Sequence, residues 1–413
     1  MAAVRPFRAL RYDTRRVGDL SAVIAPPYDV IDPEEQEQLY QASPCNIVRL
    51  ILGKQSPADT PADNRYTRAA RDFAAWRREG ILRFDPQPAL YLLEHRFTDE
   101  GTPRARLGFI ALLGLDGPME RIAYRHEATL AAPKEDRTRL LAAVPANLEP
   151  IFCIYPDPGA AIQARLHALA KPPPDAEAVF HGETVRIWAV TDAEAIQAVV
   201  RPLAQTALLI ADGHHRFEVG YAHRDRYPFL MSYFVSMAEP ALRVRPIHRI
   251  LQPADRPDPA SLRDCCAVEP ASGLPELLRW LQDAPDAAAE TRFGYYDGRG
   301  LYRVRVLPER LARWRMALPV PLAVLDVSVL HGLLLPGLDA PAANGAVRYT
   351  PDAAQAVSAV DRGEGSAAWL LRGIPLPQVY ALAAQGLALP PKSTYFYPKV
   401  PSGLTINPFE SAR

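Results

Sequence analysis

Cysteine is scarce: four residues in 413, Cys45, Cys153, Cys265 and Cys266, with no C-x-x-C pair and no other zinc-ligand spacing among them. A reduced, cytoplasmic setting fits this usage. No apolar run approaches the roughly 18 residues that suggest a membrane span, and the opening "MAAVRPFRALRYDTRR" lacks the apolar centre of a secretory signal. A soluble, intracellular protein without a membrane partner is expected. A surplus of either charge is also missing, because Lys+Arg and Asp+Glu both count 47. No global field is available to hold a polyanion, so no nucleic-acid partner is expected and any anion site must be local.

Proline, in contrast, is abundant at 42 residues, about twice the usual share of roughly 5%. It falls mostly between apolar runs, which points to many short, stiffened loops. The length exceeds one ordinary domain. Proline and aspartate crowd residues 252–260, "QPADRPDPA", and this segment is read as the boundary between domains 1–252 and 262–413.

Along the chain, helical and extended patterns alternate, giving a mixed α/β (α+β) fold class. Asp32-Pro33 is a helix start, "NIVRLIL" (46–52) reads as a strand, and residues 64–82 carry a helical face on Tyr66, Ala70, Phe73 and Trp76. "ALYLLEHRF" and "ARLGFIALLGL" read as a hairpin, as does "TRFGYYDGRGLYRVRVL". The strand "TALLIAD" leads into a helix on which Phe217, Gly220, Tyr221 and Arg224 share one side. The C-terminal "LPPKSTYFYPKVPSGLTINPFE" is expected to be extended.

Four stretches carry candidate chemistry. In "LLIADGHHRFEVGYAHR" (208–224), two of the nine histidines and an arginine follow a strand end and a glycine. A helix N-terminus behind Gly213 favours a phosphate, with Arg216 as a bidentate partner and His214 or His215 as donor or proton shuttle. Asp212 is read as a metal ligand or as the group that orients a histidine. The plainer reading is a helix cap with surface histidines.

In "YRHEATLAAPKEDR" (124–137), Glu127 is a candidate base, with Lys134 and Arg137 neutralising phosphate charge; a solvated helix start explains the same composition. In "APPYDVIDPEE", two prolines present Asp29 as a base, or simply build a turn. "PPKSTYFYPKVPSG" has Lys392 and Lys399 but no glycine-rich loop before Lys392, so it is not a P-loop, and a structural arm suits it better.

Taken in order, "PFRALRYD…APPYDVI", "RHEATLAAPKEDR…NLEPIF", "IADGHHR" and "KSTYFYPKVPSGL" closely resemble the bacterial family known as domain of unknown function 1015. The DGHHR element is in turn similar to the helix-start motif of the ParB and sulfiredoxin superfamily, which includes free serine kinases. That resemblance implies a ParB/sulfiredoxin-like N-terminal α/β domain, a smaller C-terminal α/β domain, and nucleotide phosphates held at Gly213, His214, His215 and Arg216. The cysteine of sulfiredoxins is absent, since His214 follows Gly213, and no helix-turn-helix supports a DNA clamp.

The resulting expectation is a small-molecule kinase using ATP or ADP with Mg²⁺. It would transfer phosphate to a hydroxyl acceptor such as L-serine. His215, Arg216 and the helix amides hold the donor, Asp29 or Glu127 takes the proton, and His126, Lys134 and Arg137 lie beside the acceptor. Two alternatives stand: a nucleotide-binding switch acting through a protein partner, and a metal-dependent phosphohydrolase built on Asp212. A homo-oligomer is compatible with each.

Overall fold

The computed structural model describes residues 3–252, 259–283, 290–316, 320–336 and 347–409. The fold is mixed α/β and divides into two units. The first contains residues 3–125, 129–242 and 398–409; the second contains residues 126–128 and the described part of 243–397. The division thus falls at Leu242 and Arg243, and the last stretch belongs with the first unit. Of the boundary read at 252–260, residues 253–258 lie outside the described residues.

The first unit is built on a nine-stranded sheet. Its order runs Ala123–Tyr124, Leu208–Asp212, Ile151–Tyr155, Phe229–Ser236, Thr102–Gly114, Leu90–Asp99, Glu183–Val190, Ala176–Phe180, with Val4–Arg5 added to Thr102–Gly114. Two pairings are parallel, Leu208–Asp212 on Ala123–Tyr124 and Phe229–Ser236 on Ile151–Tyr155; the remainder are antiparallel. The strands Leu208–Asp212 and Ile151–Tyr155 are buried at every position, which explains why Asp212 is the one charged residue in either. One sheet face closes over Phe109, Ile151, Cys153, Ile210, Phe217 and Phe234, among others, with the helices Ala161–Leu169 and Ala193–Leu203 contributing Leu166 and Val199.

Local signals were well obeyed in this unit. Asp32 accepts from the Glu35 amide to start the helix Pro33–Ala42, and Asn64 with Thr67 forms a capping box at Arg65–Arg78. Leu90–Asp99 and Thr102–Gly114 form the expected hairpin.

One segment differs. The apolar run read as a strand at 46–52 contains the helix Val48–Ile51. Asn46 is the cause: its Oδ1 accepts from the Val48 amide at 2.9 Å and its Nδ2 donates to the carbonyls of Ala22 and Ile24. A short apolar run has no periodicity to separate the two states, and the turn that Asn46 makes with the Val48 amide ahead of the helix decided it.

The second unit has a six-stranded antiparallel sheet in the order Cys266–Pro270, Leu301–Val306, Arg292–Tyr296, Ala367–Leu370, His248–Leu251, Val347–Thr350. The helices Leu274–Gln282 and Ala353–Asp361 cover it through Leu277, Leu281, Ala356 and Val360. The expected hairpin at 291–307 is present, its turn closed by Asp297 Oδ1 accepting from the amides of Arg299 and Gly300. Pro246 divides "ALRVRPIHRIL": Arg243–Arg245 pairs with Tyr395–Tyr397, while His248–Leu251 enters the sheet. No described helix is long and apolar enough to cross a membrane.

Candidate phosphate site at the Asp212–Gly213 turn

The strand Leu208–Asp212 ends with a shift of register between Ile210 and Asp212 against Ile151–Tyr155. Such an irregularity re-aims the side chains that follow it. Gly213 then takes φ +86°, a left-handed conformation, and a Cβ there would lie 3.0 Å from Ile151 Cγ2 and 3.1 Å from Arg216 Nε. The backbone angle favours glycine, and both contacts are tighter than a side chain ordinarily makes. The helix His214–Ala222 begins directly after it, and no side chain caps its N-terminus. The first intrahelical bond runs from the Phe217 amide to the Gly213 carbonyl at 2.9 Å. Arg224, assigned to the helical face in the sequence, lies beyond the end at Ala222.

Asp212 is buried and holds two cations. Its Oδ1 accepts from Lys399 Nζ and its Oδ2 from Arg216 Nη2 at 2.8 Å. Burial pushes its pKa up, and the charges of Lys399 and Arg216 more than reverse this, leaving it below the usual carboxylate range. Arg216 also donates through Nη1 to the Pro150 carbonyl at 2.5 Å. His214 is buried, and burial pulls its pKa down to about 4, against the opposing attraction of Asp212. It is a neutral imidazole at physiological pH.

Another side of the same helix grips Arg125 and residues 129–134. Glu218 accepts from Arg125 Nη1 at 2.6 Å, from Thr129 Oγ1 at 2.7 Å and from Lys134 Nζ at 3.0 Å. His215 Nε2 accepts the Leu130 amide at 2.9 Å, which puts the proton of the neutral ring on Nδ1. Both Arg125 and Lys134 keep more than a third of their side chains exposed while they are held.

Behind the helix lies a second buried cluster. Arg137 stacks 3.8 Å over the Tyr28 ring and pairs with Asp136 and with Glu149, the latter at 3.4 Å. Glu149 Oε1 also accepts from the Tyr28 amide at 3.1 Å and from Ser402 Oγ at 3.2 Å. Asp29, next in the chain, is exposed on the turn that follows the two prolines. After burial, which works the other way, the charges of Glu149, Asp212 and Asp29 hold the Arg216 pKa up.

Of the residues singled out in the sequence, the first unit contains Asp29, Lys134, Arg137 and Asp212 to Arg216. His126 and Glu127 belong to the second unit. There His126 Nε2 lies 2.9 Å from Thr394 Oγ1, and Glu127 Oε1 accepts the Lys392 amide at 3.3 Å. Sequence reasoning missed Glu149 and Glu218. Glu218 had a signal, since it stands three and four residues after His215 and His214 on one helix. Lys399 was noticed only as part of an arm.

Asp212 does not fit a Mg²⁺ ligand, because both its oxygens are committed to cations. Among the described residues no group of three His, Cys, Asp or Glu is placed to hold a metal ion.

Residues 4–328 match the family described as "Protein of unknown function (DUF1015)". No curated protein matches the chain. Among solved structures, a free serine kinase in complex with AMP is similar at 14% identity and TM-score 0.35, covering 70% of this chain and 86% of its own. A conserved hypothetical protein from Pyrococcus furiosus shows 12% identity, TM-score 0.35 and coverages of 72% and 95%. SbnI from Staphylococcus aureus, truncated at its C-terminus, shows 11% identity, TM-score 0.37 and coverages of 72% and 87%.

Proposed function

Because the chain belongs to the DUF1015 family, whose description assigns no activity, we propose from the site itself that this protein is a phosphotransferase that passes a nucleotide phosphate to a small hydroxyl-bearing acceptor. The observation that carries the reading is the uncapped helix start at Gly213, with Asp212 behind it holding Lys399 and Arg216. Backbone amides at a helix N-terminus, next to fixed positive charge, bind phosphate oxygens. The resemblance of the DGHHR sequence to the helix-start motif of free serine kinases supports the same assignment.

The residues divide by reach. Arg216, buried and held by Asp212 and the Pro150 carbonyl, shapes the turn rather than swinging to a ligand. Arg125 and Lys134, half-exposed and anchored by Glu218, are the cations that meet the donor phosphates. His215 contributes hydrogen bonding from the first turn. Asp29, the exposed carboxylate whose charge acts on Arg216, takes the acceptor's proton. Mg²⁺ would accompany the nucleotide in the usual way for phosphoryl transfer, and no step here is assigned to it.

A nucleotide-binding switch is the second reading, favoured by one observation. Of the two carboxylates expected as bases, Glu127 spends an oxygen on the Lys392 amide in the second unit, so fewer groups are left for chemistry. The phosphohydrolase built on a metal at Asp212 loses its basis, as that carboxylate is already paired.

The test is direct. Purified protein is incubated with Mg²⁺, ATP or ADP and a panel of hydroxy amino acids headed by L-serine, and products are identified by mass spectrometry. A phosphorylated acceptor, lost on Asp29→Ala, supports the transferase. Saturable nucleotide binding without product supports the switch, and absence of nucleotide binding overturns both.

A further inference from the structure

The four cysteines are not equivalent. Cys45 and Cys153 stand singly in the first unit, whereas Cys265 and Cys266 are chain neighbours in the second. Cys266 opens the strand Cys266–Pro270 and is 2% exposed. Cys265 is half-buried and ends the turn before that strand, its amide donating to the Leu262 carbonyl at 3.1 Å. Neighbours within a regular strand point to opposite faces. The turn lifts that constraint here, and the two Sγ atoms lie 3.9 Å apart.

A bond between these sulfurs differs from a structural disulfide. Cα atoms joined by a trans peptide are about 3.8 Å apart, less than the roughly 4.4 Å at which ordinary disulfides begin. Such a ring is strained and readily reduced, which suits a reversible state rather than a permanent staple. Exposure divides the roles. Burial, reinforced by the adjoining Cys265, pushes the Cys266 thiol well above its usual range and keeps it protonated. Cys265 is the thiol that solvent reaches.

We propose that Cys265 and Cys266 form a reversible oxidation site for hydrogen peroxide. The Cys265 thiolate attacks one peroxide oxygen; the O–O bond breaks, leaving a sulfenic acid on Cys265 and, after protonation, one water. Cys266 Sγ then attacks Cys265 Sγ and gives up its proton as the S–O bond breaks and a second water leaves. Two thiols and one peroxide become one disulfide and two waters. Because both sulfurs are already side by side, the second step is intramolecular and outruns further oxidation of Cys265.

The ring has a structural output. The Cys265 carbonyl accepts the Leu307 amide at 2.8 Å, and Cys266 pairs with Val306. Ring closure turns the peptide unit between the two cysteines, which carries that carbonyl, so the bond from Leu307 is the first to go. Cys266–Pro270 is the outermost strand in the sheet order, and loosening it leaves the central strands paired. This inference stands on the second unit alone and is independent of the transferase reading.

The full-length protein is treated with about one equivalent of hydrogen peroxide, remaining thiols are blocked with iodoacetamide, and tryptic peptides are weighed. Cleavage after Arg263 and Arg279 isolates both cysteines from Cys45 and Cys153. That peptide is expected to lose about 2 Da, the two thiol hydrogens, before Cys45 is modified, and to regain them with dithiothreitol. In the oxidised protein the Leu307 amide is expected to exchange its hydrogen at least about tenfold faster. Cys266→Ala is expected to stop at the sulfenic acid on Cys265, trapped by dimedone. If that variant does not fold, Cys265→Ser, at the half-buried position, is expected to abolish the mass loss. Absence of the mass loss, a disulfide between two chains, sulfinic acid on Cys265 without ring closure, Cys45 oxidised first, or unchanged exchange at Leu307 overturns the proposal.

Discussion

Asp212 joins two residues that the sequence holds far apart: Arg216, one helical turn on, at 2.8 Å through Oδ2, and Lys399, 187 positions later, through Oδ1. One buried carboxylate thereby balances two cations, and its own removal is the more damaging change.

Asp212→Asn is expected to destabilise the first unit by about 3–5 kcal/mol, the usual cost of leaving a buried charge without its partner. Two charges would be stranded rather than one. Urea denaturation followed by far-UV circular dichroism measures it, and a loss under about 1 kcal/mol, the range of an exposed pair, would mean the network is solvated.

Gly213→Ala places a Cβ 3.0 Å from Ile151 Cγ2 at a backbone angle of +86°. A cost of about 1–3 kcal/mol is expected for the strained conformation, with weaker phosphate binding because the turn must shift. Thermal unfolding and a nucleotide titration on the same sample read the two effects.

Acid should weaken the fold in a defined window. His214 titrates at about 4 because it is buried, and so does His248 in the second unit. An unfolded histidine titrates near 6.5. Between these values the unfolded chain binds more protons, so stability is complete above about pH 6.5 and is lost as pH falls toward 4, by roughly 3 kcal/mol for each histidine. Asp212 acts lower: its pKa is depressed on folding, so its contribution is present above the unfolded value and is lost only as pH falls beneath it. Replacing His214 with Gln should flatten the slope between pH 6.5 and 4; an unchanged slope would mean that His214 is protonated in the native state.

Removing Arg125 and Lys134 together tests the phosphate face. The double alanine variant is expected to bind ADP at least about tenfold more weakly, and to show a smaller loss of affinity on raising salt, since both cations are half-exposed and screened. Calorimetry at two ionic strengths checks this. Equal affinity would place the nucleotide elsewhere.

Much of the framework was legible because it is local. Strands that end in glycine, helices opened by Asp32 or Asn64 and the two hairpins each carry their cause within a few residues. The turn at Asp212-Gly213 was legible for the same reason. The segment 46–52 was not, since the side chain that decided it, Asn46, acts through carbonyls of Ala22 and Ile24 that no periodicity reports. The bond from Arg216 to the Pro150 carbonyl was out of sight too, because that partner lies 66 residues away. Glu149 and Lys399 were hidden likewise, because each gains its meaning only from partners remote in sequence, Tyr28 and Ser402 for one and Asp212 for the other.

Residues 398–409 have a consequence for biosynthesis. Ile406 bonds the backbone of Leu10, Ser402 that of Ala25, Asn407–Pro408 pairs with Ala146–Asn147, and Lys399 completes the charge balance of Asp212. A ribosome delivers residues in order, so the first unit stays without these closures while all of 243–397 emerges. Until this stretch has left the exit tunnel, Asp212 lacks one cation and the pairings at Leu10, Ala25 and Ala146–Asn147 are open. Such a nascent intermediate is a natural client for chaperones that shield exposed apolar surface.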